Sequence, residues 1–252
     1  MPQVDSDKLT LAIEMSNPAM WADPLIAGEV IVGRVGPDGV APLGADPITQ
    51  QSPRDDALAP TIDRLLRRLD IEPKQLDCIA VSAGPGGFTS VRIAVTTAKV
   101  IAEAAGARVV IVPTGEIVAR TIRRARDIPG DLAVTLAGKR DSAWCAVYGP
   151  CRWDAGPWSA PAIAGVMEVE QFAAAAKSAR ITTLVADAHV PGGFLDWARR
   201  HSVDVMQPGL GAEAVLVASC FHEAVDPVDA APIYPREPEA VTKWRDLSGA
   251  SG

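Results

Sequence analysis

Between Cys78 and Ala105 the chain passes from a short apolar stretch, Cys78 to Ala83, through Gly84-Pro85-Gly86-Gly87 into a long, almost uncharged segment that begins at Phe88. An apolar run of strand length, a glycine-proline turn and a helical pattern in direct succession read as a strand feeding a helix. That unit restricts the chain to folds in which helices cover a sheet. Glycines at 84, 86 and 87 are predicted to take positive φ and to let the backbone come close to another surface, while Pro85 stiffens the turn. Thr89 or Ser90 is placed to cap the helix. The N–H groups of such a turn can face an anion or a partner chain, and the residues alone leave both open.

The helix that follows has one narrow polar stripe: Arg92, Thr96, Lys99 and Glu103. Val91, Ala94, Val95, Ala98, Ala102 and Ala105 form one apolar side, and Ile93, Thr97, Val100, Ile101 and Ala104 form another. A helix this apolar is covered on most sides, either within its own domain or with one side against another chain.

Upstream, Leu9 to Met15, Glu29 to Val35 and Val40 to Leu43 read as a three-stranded meander, with a loop around Trp21 and a turn at Gly36-Pro37-Asp38-Gly39. Leu58, Ile62, Leu65, Leu66 and Leu69 recur at helical spacing between Ser52 and Leu69. Downstream of the central helix come a strand, Arg108 to Val112, and a helix, Thr114 to Arg126. From Asp131 the order starts again. Strands Leu132 to Ala137 and Ala143 to Tyr148 flank a polar hairpin, and a Pro/Gly/Trp-rich segment runs from Pro150 to Pro161. Helix Glu168 to Ala179, strand Ile181 to Ala186, helix Phe194 to Arg200, strand Val203 to Met206 and helix Ala212 to Ala224 follow. Tyr234 and Trp244 are expected to dock the proline-rich tail. Strands first, then alternation, once in each half, predict an α/β protein of two related lobes of mixed sheet flanked by helices, 1–129 and 130–252, divided at Asp127-Ile128-Pro129-Gly130.

Composition narrows the function. At 252 residues, 48% hydrophobic and 22% charged, the chain has an ordinary globular make-up, and its formal charge of −7 argues against broad, unaided nucleic-acid binding. Four cysteines without CxxC spacing signal neither a disulfide framework nor a zinc site. No basic-then-apolar leader is visible and no apolar run approaches the ~20 residues that span a bilayer, so a cytoplasmic location is expected. GxxxxGK[ST] is absent, and Thr89 stands where GxGxxG needs its last glycine. His189, His201 and His222 form no HxxxH or HExxH pair, and there is no GxSxG elbow. Each histidine reads as a surface or partly satisfied one. No catalytic residue and no metal ligand is assigned.

Gly84-Pro85-Gly86-Gly87-Phe88-Thr89-Ser90-Val91-Arg92-Ile93, with Ala98-Lys99 after it, closely resembles the G-P-G-[SG]-F-T-[GS]-[LV]-R-[IV] signature of the TsaB (YeaZ) family. The likeness extends to the opening strand, the helix after Ser52-Pro53-Arg54, the Lys139-Arg140 hairpin and Pro232-Ile233-Tyr234-Pro235-Arg236, which is similar to the family's P-x-Y-x-R close. It implies an actin/sugar-kinase/Hsp70-like fold. It also implies a non-catalytic subunit that works with a TsaD-type transferase and a TsaE-type ATPase in placing threonylcarbamoyl on the tRNA adenosine beside the anticodon. The complex would use ATP and magnesium, with none assigned to this chain, and would meet tRNA through its other subunits. The chain alone could form a homodimer.

On this resemblance the partner would meet the first-lobe helices, at Gly84, Pro85, Gly86, Phe88, Thr89, Arg92, Val95, Ala98, Lys99 and Ala102 and at Leu58, Ile62 and Leu65. The family's catalytic paralogues carry an HxxxH metal site where this chain has Glu116-Ile117-Val118-Ala119-Arg120. The usual Asp-Thr after the first strand is replaced by Glu14-Met15-Ser16-Asn17-Pro18, and the hairpin's Asp-Ala-Arg by Ala137-Gly138-Lys139. Those losses weigh against two alternatives, a phosphotransferase or ATPase of the same fold and a glycoprotease-type metallopeptidase. Arg120, Arg123, Arg124 and Arg126 crowd one helix end, either as solvated residues complementing its dipole or as a local contribution to a tRNA path.

Overall fold

A computed structural model describes residues 7–21, 23–36, 39–50, 57–138 and 140–235. The first sheet contains β1 (Lys8–Glu14), β2 (Ile26–Gly36), β3 (Gly39–Thr49), β4 (Cys78–Ser82) and β5 (Arg108–Val112). The antiparallel meander β3-β2-β1 is extended by the parallel strands β4 and β5, giving the order 3-2-1-4-5. The second sheet repeats it. There β6 (Asp131–Ala137), β7 (Ser142–Tyr148) and β8 (Ile163–Glu168) form the meander, and β9 (Ile181–Ala186) and β10 (Asp204–Met206) run parallel to β6, giving 8-7-6-9-10. Two copies of one mixed-sheet plan constitute the actin/sugar-kinase/Hsp70-like architecture.

The helices fall into three layers. Outside the first sheet, α1 (Leu58–Arg68) and α2 (Phe88–Ala105) send Leu58, Ile62, Leu65, Val91, Ala94, Val95, Ala98 and Ala102 into a core with Leu11, Ile13, Ile79 and Val81. Between the sheets lie α3 (Thr114–Ala125), whose Val118, Ala119 and Ile122 pack on the second sheet, and α6 (Ala212–Ser219), whose Val215 and Leu216 pack on the first. Beyond the second sheet, α4 (Val169–Ala175) and α5 (Gly192–Arg200) close a core around Phe172, Phe194 and Trp197.

Several expected boundaries move, each for a visible reason. β3 runs to Thr49 rather than Leu43 because it is an edge strand, where Pro42 and Pro47 deprive no neighbour of a donor. β8 lies in what reads as irregular sequence, with Gly165 at a φ of 151° inside it. α6 ends at Ser219, well short of Ala224, because Phe221 and His222 turn inward to meet α3. Ala224, the last residue of that expected helix, instead joins β5 with Val225 as β11. After the expected division at 129, therefore, the chain does not stay with the second sheet: α6, β11 and the segment beyond them return to the first. The start of the Ser52 helix pattern, half of the Gly36–Gly39 turn, Lys139, Arg236 and Trp244 lie outside the described residues.

Neither Thr89 nor Ser90 caps α2. Its N-cap is Gly87, without a side-chain bond, and the Gly87 N–H donates instead to the Ser16 carbonyl at 2.7 Å. Of the three turn glycines only Gly84 has positive φ, at 108°. Gly86 serves close approach: a Cβ added there would fall inside the van der Waals envelope of the Ser16 carbonyl oxygen. Backbone opposes that Cβ, so Gly86→Ala is expected to cost about 1–3 kcal/mol, read as a lower urea midpoint with unchanged slope. A change too small to resolve would show that the turn yields freely.

Candidate functional site

The glycine turn is occupied from both sides by the chain itself. Ser16, just past β1, takes the Gly87 N–H, and the Ile233 N–H donates to the Ala83 carbonyl at 2.7 Å. The Ile233 carbonyl lies where a side chain on Gly84 would be. Pro85, in a cis peptide after Gly84, is buried. Tyr234 then stacks on Phe88 with ring centroids 5.4 Å apart, Arg92 sits over the Phe88 ring at 5.1 Å from its centroid, and Lys99 Nζ donates at 3.0 Å to the carbonyls of Val228 and Ala230. A phosphate cradle needs free N–H groups at this turn. Here the space beside it is filled by backbone from residues 16 and 233.

Burial divides the expected contact residues into two groups. Leu58, Leu65, Val95, Ala98 and Ala102 lie in the first lobe's own core, and Gly84 and Pro85 are buried at the turn, so these present no contact surface, while Ile62, also in that core, reaches the surface only in the wall of the α1–α2 groove. Gly86, Phe88, Thr89 and Arg92 are exposed, and Lys99 is half-buried under the C-terminal segment. The other apolar side of α2 is the open one. Ile93 and Val100 are exposed, Val100 by 63%, and with Phe88, Val228 and Tyr234 they make five of the eight large hydrophobic side chains that stand in solvent among the described residues. Beside them, a groove of about 650 Å³ runs between α1 and α2, walled by Ile62, Leu66, Ile71, Thr97, Ile101 and Ala104. The apolar spacing marks both sides of α2 in the sequence; which one the sheet takes depends on the tertiary fold.

Between the lobes, where the catalytic paralogues' metal pair would lie on α3, stands an ion pair. Glu116 and Arg120 are one helical turn apart, with Arg120 Nε and the Glu116 carboxylate 2.8 Å apart. Arg120 is fully buried. It donates to the carbonyls of Trp153 (2.6 Å) and Gly156 (3.4 Å) and lies between the rings of Trp158 and Phe221, at 4.7 and 5.2 Å. His222 Nε2 meets the other Glu116 oxygen at 2.8 Å. Burial alone would raise the Glu116 carboxyl, but His222 and Arg120 hold it below its ordinary value. Arg120 is thus no solvated member of the arginine cluster, and its spacing from Glu116 was the available sequence signal. Nothing comparable foretells Trp158 or Phe221. Among the described residues no group of three or more His, Cys, Asp or Glu is arranged to hold a metal ion.

Glu14, which stands where the family resemblance implies a short aspartate, is fully buried. One carboxyl oxygen accepts from the Ser16 N–H at 2.8 Å and the Ser16 hydroxyl at 2.7 Å; the other is buried without a hydrogen-bond partner among the described residues. Burial pushes the carboxyl up to about 7 against the opposing Ser16 bonds.

Two outcomes follow from these buried charges. Folded Glu14 keeps its proton between pH 4.5 and 7, where the unfolded side chain has lost it. Stability is therefore expected to fall as pH rises through that window, by about 3 kcal/mol relative to Glu14→Gln, and to run parallel above it; parallel curves throughout the titration would refute the raised pKa. Arg120→Leu is expected to cost about 3–5 kcal/mol by stranding the Glu116 charge, with the Glu116→Leu/Arg120→Leu double variant losing less than the sum. Additive losses in denaturation would show that the two side chains act separately.

Comparisons agree with this geometry. The family profile described as "TsaD: tRNA N6-adenosine threonylcarbamoyltransferase" matches residues 44–187, more than half of the chain. No curated protein sequence matches the chain. Among solved structures, an uncharacterised protein with similarity to peptidase YeaZ from Pseudomonas aeruginosa superposes with a TM-score of 0.67 at 20% identity, over 91% of this chain and 100% of that one. YeaZ from Pseudomonas aeruginosa does so with a TM-score of 0.66 at 19% identity, over 90% and 99%. The repeated 3-2-1-4-5 sheets are thus those of a YeaZ-like fold, and the chain belongs to the TsaD, tRNA N6-adenosine threonylcarbamoyltransferase, family.

Proposed function

We propose that this chain is a non-catalytic subunit of a tRNA threonylcarbamoyladenosine-forming complex, of the TsaB (YeaZ) type, which binds and activates a TsaD-type transferase. The observation that carries this reading is the apolar face of α2. A monomer keeps such a stripe in water only at a free-energy disadvantage, whereas a partner of matching shape buries it. The contact surface comprises Phe88, Ile93, Thr96 and Val100, the α1–α2 groove beside them, and Arg92 and Glu103 at the rim.

The positions that serve chemistry in catalytic relatives are closed here by the chain's own groups. Ser16 and Ile233 engage the glycine turn, and Glu116 and Arg120 neutralise each other on α3. In this reading the ATP and magnesium used by the complex belong to its other subunits, among them a TsaE-type ATPase. Among the described residues no helix is long and apolar enough to cross a membrane, which fits work on tRNA in the cytoplasm. A homodimer through the same face would be the resting form of a chain without its partner.

Co-purification with the TsaD-type subunit from the same source tests the proposal. Val100→Arg and Thr96→Arg are expected to weaken the complex at least tenfold, about 1.4 kcal/mol, and to lower tRNA modification in parallel. Val205→Arg, at an exposed position on β10, is the control and is expected to leave the complex intact. Wild-type affinity in both α2 variants would remove this face from consideration. Failure of the wild-type chain to bind would overturn the subunit reading.

A further inference from the structure

At the C-terminal end of α3 an open groove of about 570 Å³ separates residues 123–129 from the loop 150–153. Arg123, Arg124, Arg126 and Arg152 line it with Trp153, and the single acidic side chain in its wall is Asp127. Glu213 and Asp154 pair with two of these arginines, leaving Arg123 and Arg126 as the cations without an ion pair among the described residues, on a chain with a net charge of −7.

The four arginines are held differently. Arg123 is fixed from the side of the protein: its guanidinium donates to the carbonyls of Ile128 (2.9 Å), Gly130 (2.9 Å) and Gly149 (3.1 Å). Carbonyls fix its direction without cancelling its charge. Arg124 pairs with Glu213 and lies over the Trp153 ring, 4.9 Å from the centroid, so guanidinium and indole together make a flat wall. Arg152 is exposed and pairs with Asp154 at 3.0 Å. Arg126 is exposed, and its side chain makes no hydrogen bond or ion pair among the described residues.

We propose that this groove binds the RNA substrate directly, with Arg126 and Arg152 on backbone phosphates and the Arg124–Trp153 wall against an unstacked base. Planar guanidinium forks suit phosphate oxygens, and a stacked arginine and tryptophan suit a base from a loop or single-stranded region. An acidic polypeptide would use the charge but not the wall. The net negative charge confines such binding to this groove and makes it a secondary contact that adds to the partner's own. The inference rests on the tRNA-modification reading above and concerns a face of the molecule separate from α2.

The test uses an unmodified tRNA transcript and two measurements on the Arg126→Glu/Arg152→Glu variant. Gel filtration with the TsaD-type subunit reports the α2 contact, and fluorescence anisotropy across a salt series reports RNA binding. The variant is expected to co-elute like the wild type, yet to bind tRNA about tenfold more weakly, with a log–log salt slope shallower by about 1–2. Arg200→Glu, a single charge reversal on α5 beyond the other face of the second sheet, is expected to leave both unchanged. An intact complex with affinity and slope within twofold of wild type overturns the groove; so does an equal loss in Arg200→Glu, or displacement by polyglutamate as effective as by unlabelled tRNA. Should the wild-type chain fail to bind the transferase, the same titration on the chain alone decides the groove: binding lost in the variant upholds it, and no binding overturns it.

Discussion

A guanidinium without access to water must find every one of its partners inside the protein, and Arg120 meets that demand by drawing three separate pieces of chain together. Glu116 supplies the countercharge, the 153–156 loop supplies carbonyls, and Trp158 and Phe221 supply ring faces. Those groups come from α3, from the second lobe's long loop and from the residues just after α6. The two inner helices and the loop over them are thereby held in one arrangement, because releasing any of them leaves a charge or a dipole stranded.

That arrangement leaves the outer helices free for other work. With α3 and α6 filling the space between the sheets, α1 and α2 have only the first sheet to cover, which needs one side of each. Ala94, Ala98 and Ala102 let α2 lie close to the strands, and the opposite side, Ile93 to Val100, has no covering element among the described residues. The packing that closes the space between the lobes with α3 and α6 and the exposure of one side of α2 thus have a shared origin.

Much of this was legible in the residues. Phe88–Ala105, Arg108–Val112 and Ile181–Ala186 match the sequence reading at both ends, since a long helical period or a continuous β-branched run has no competing interpretation. The recurrence of strands followed by alternation announced the two related sheets. Edge strands were harder, as β3 carries Pro42 and Pro47 and β8 carries Gly165, residues that weaken a strand's signal without forbidding it at an edge. In the site, small apolar residues such as Ala98 and Ala102 read as contact positions because close approach is what they permit; the sheet, not a partner, makes that approach. Phe221 and His222 continue a helical pattern, and only the pull of Arg120 and Glu116 takes them out of it.

The C-terminal segment has a bearing on how the molecule is made. Residues 212–235 supply a helix against the inner face of the first sheet, a strand on its edge and the backbone that meets the glycine turn. A nascent chain that has emerged only as far as the second lobe exposes Ile31, Ala80 and Val110, which α6 later covers. The lobe synthesised first is completed last, and the face of α2 on which Tyr234 lies against Phe88 becomes whole only once residue 234 has left the ribosome.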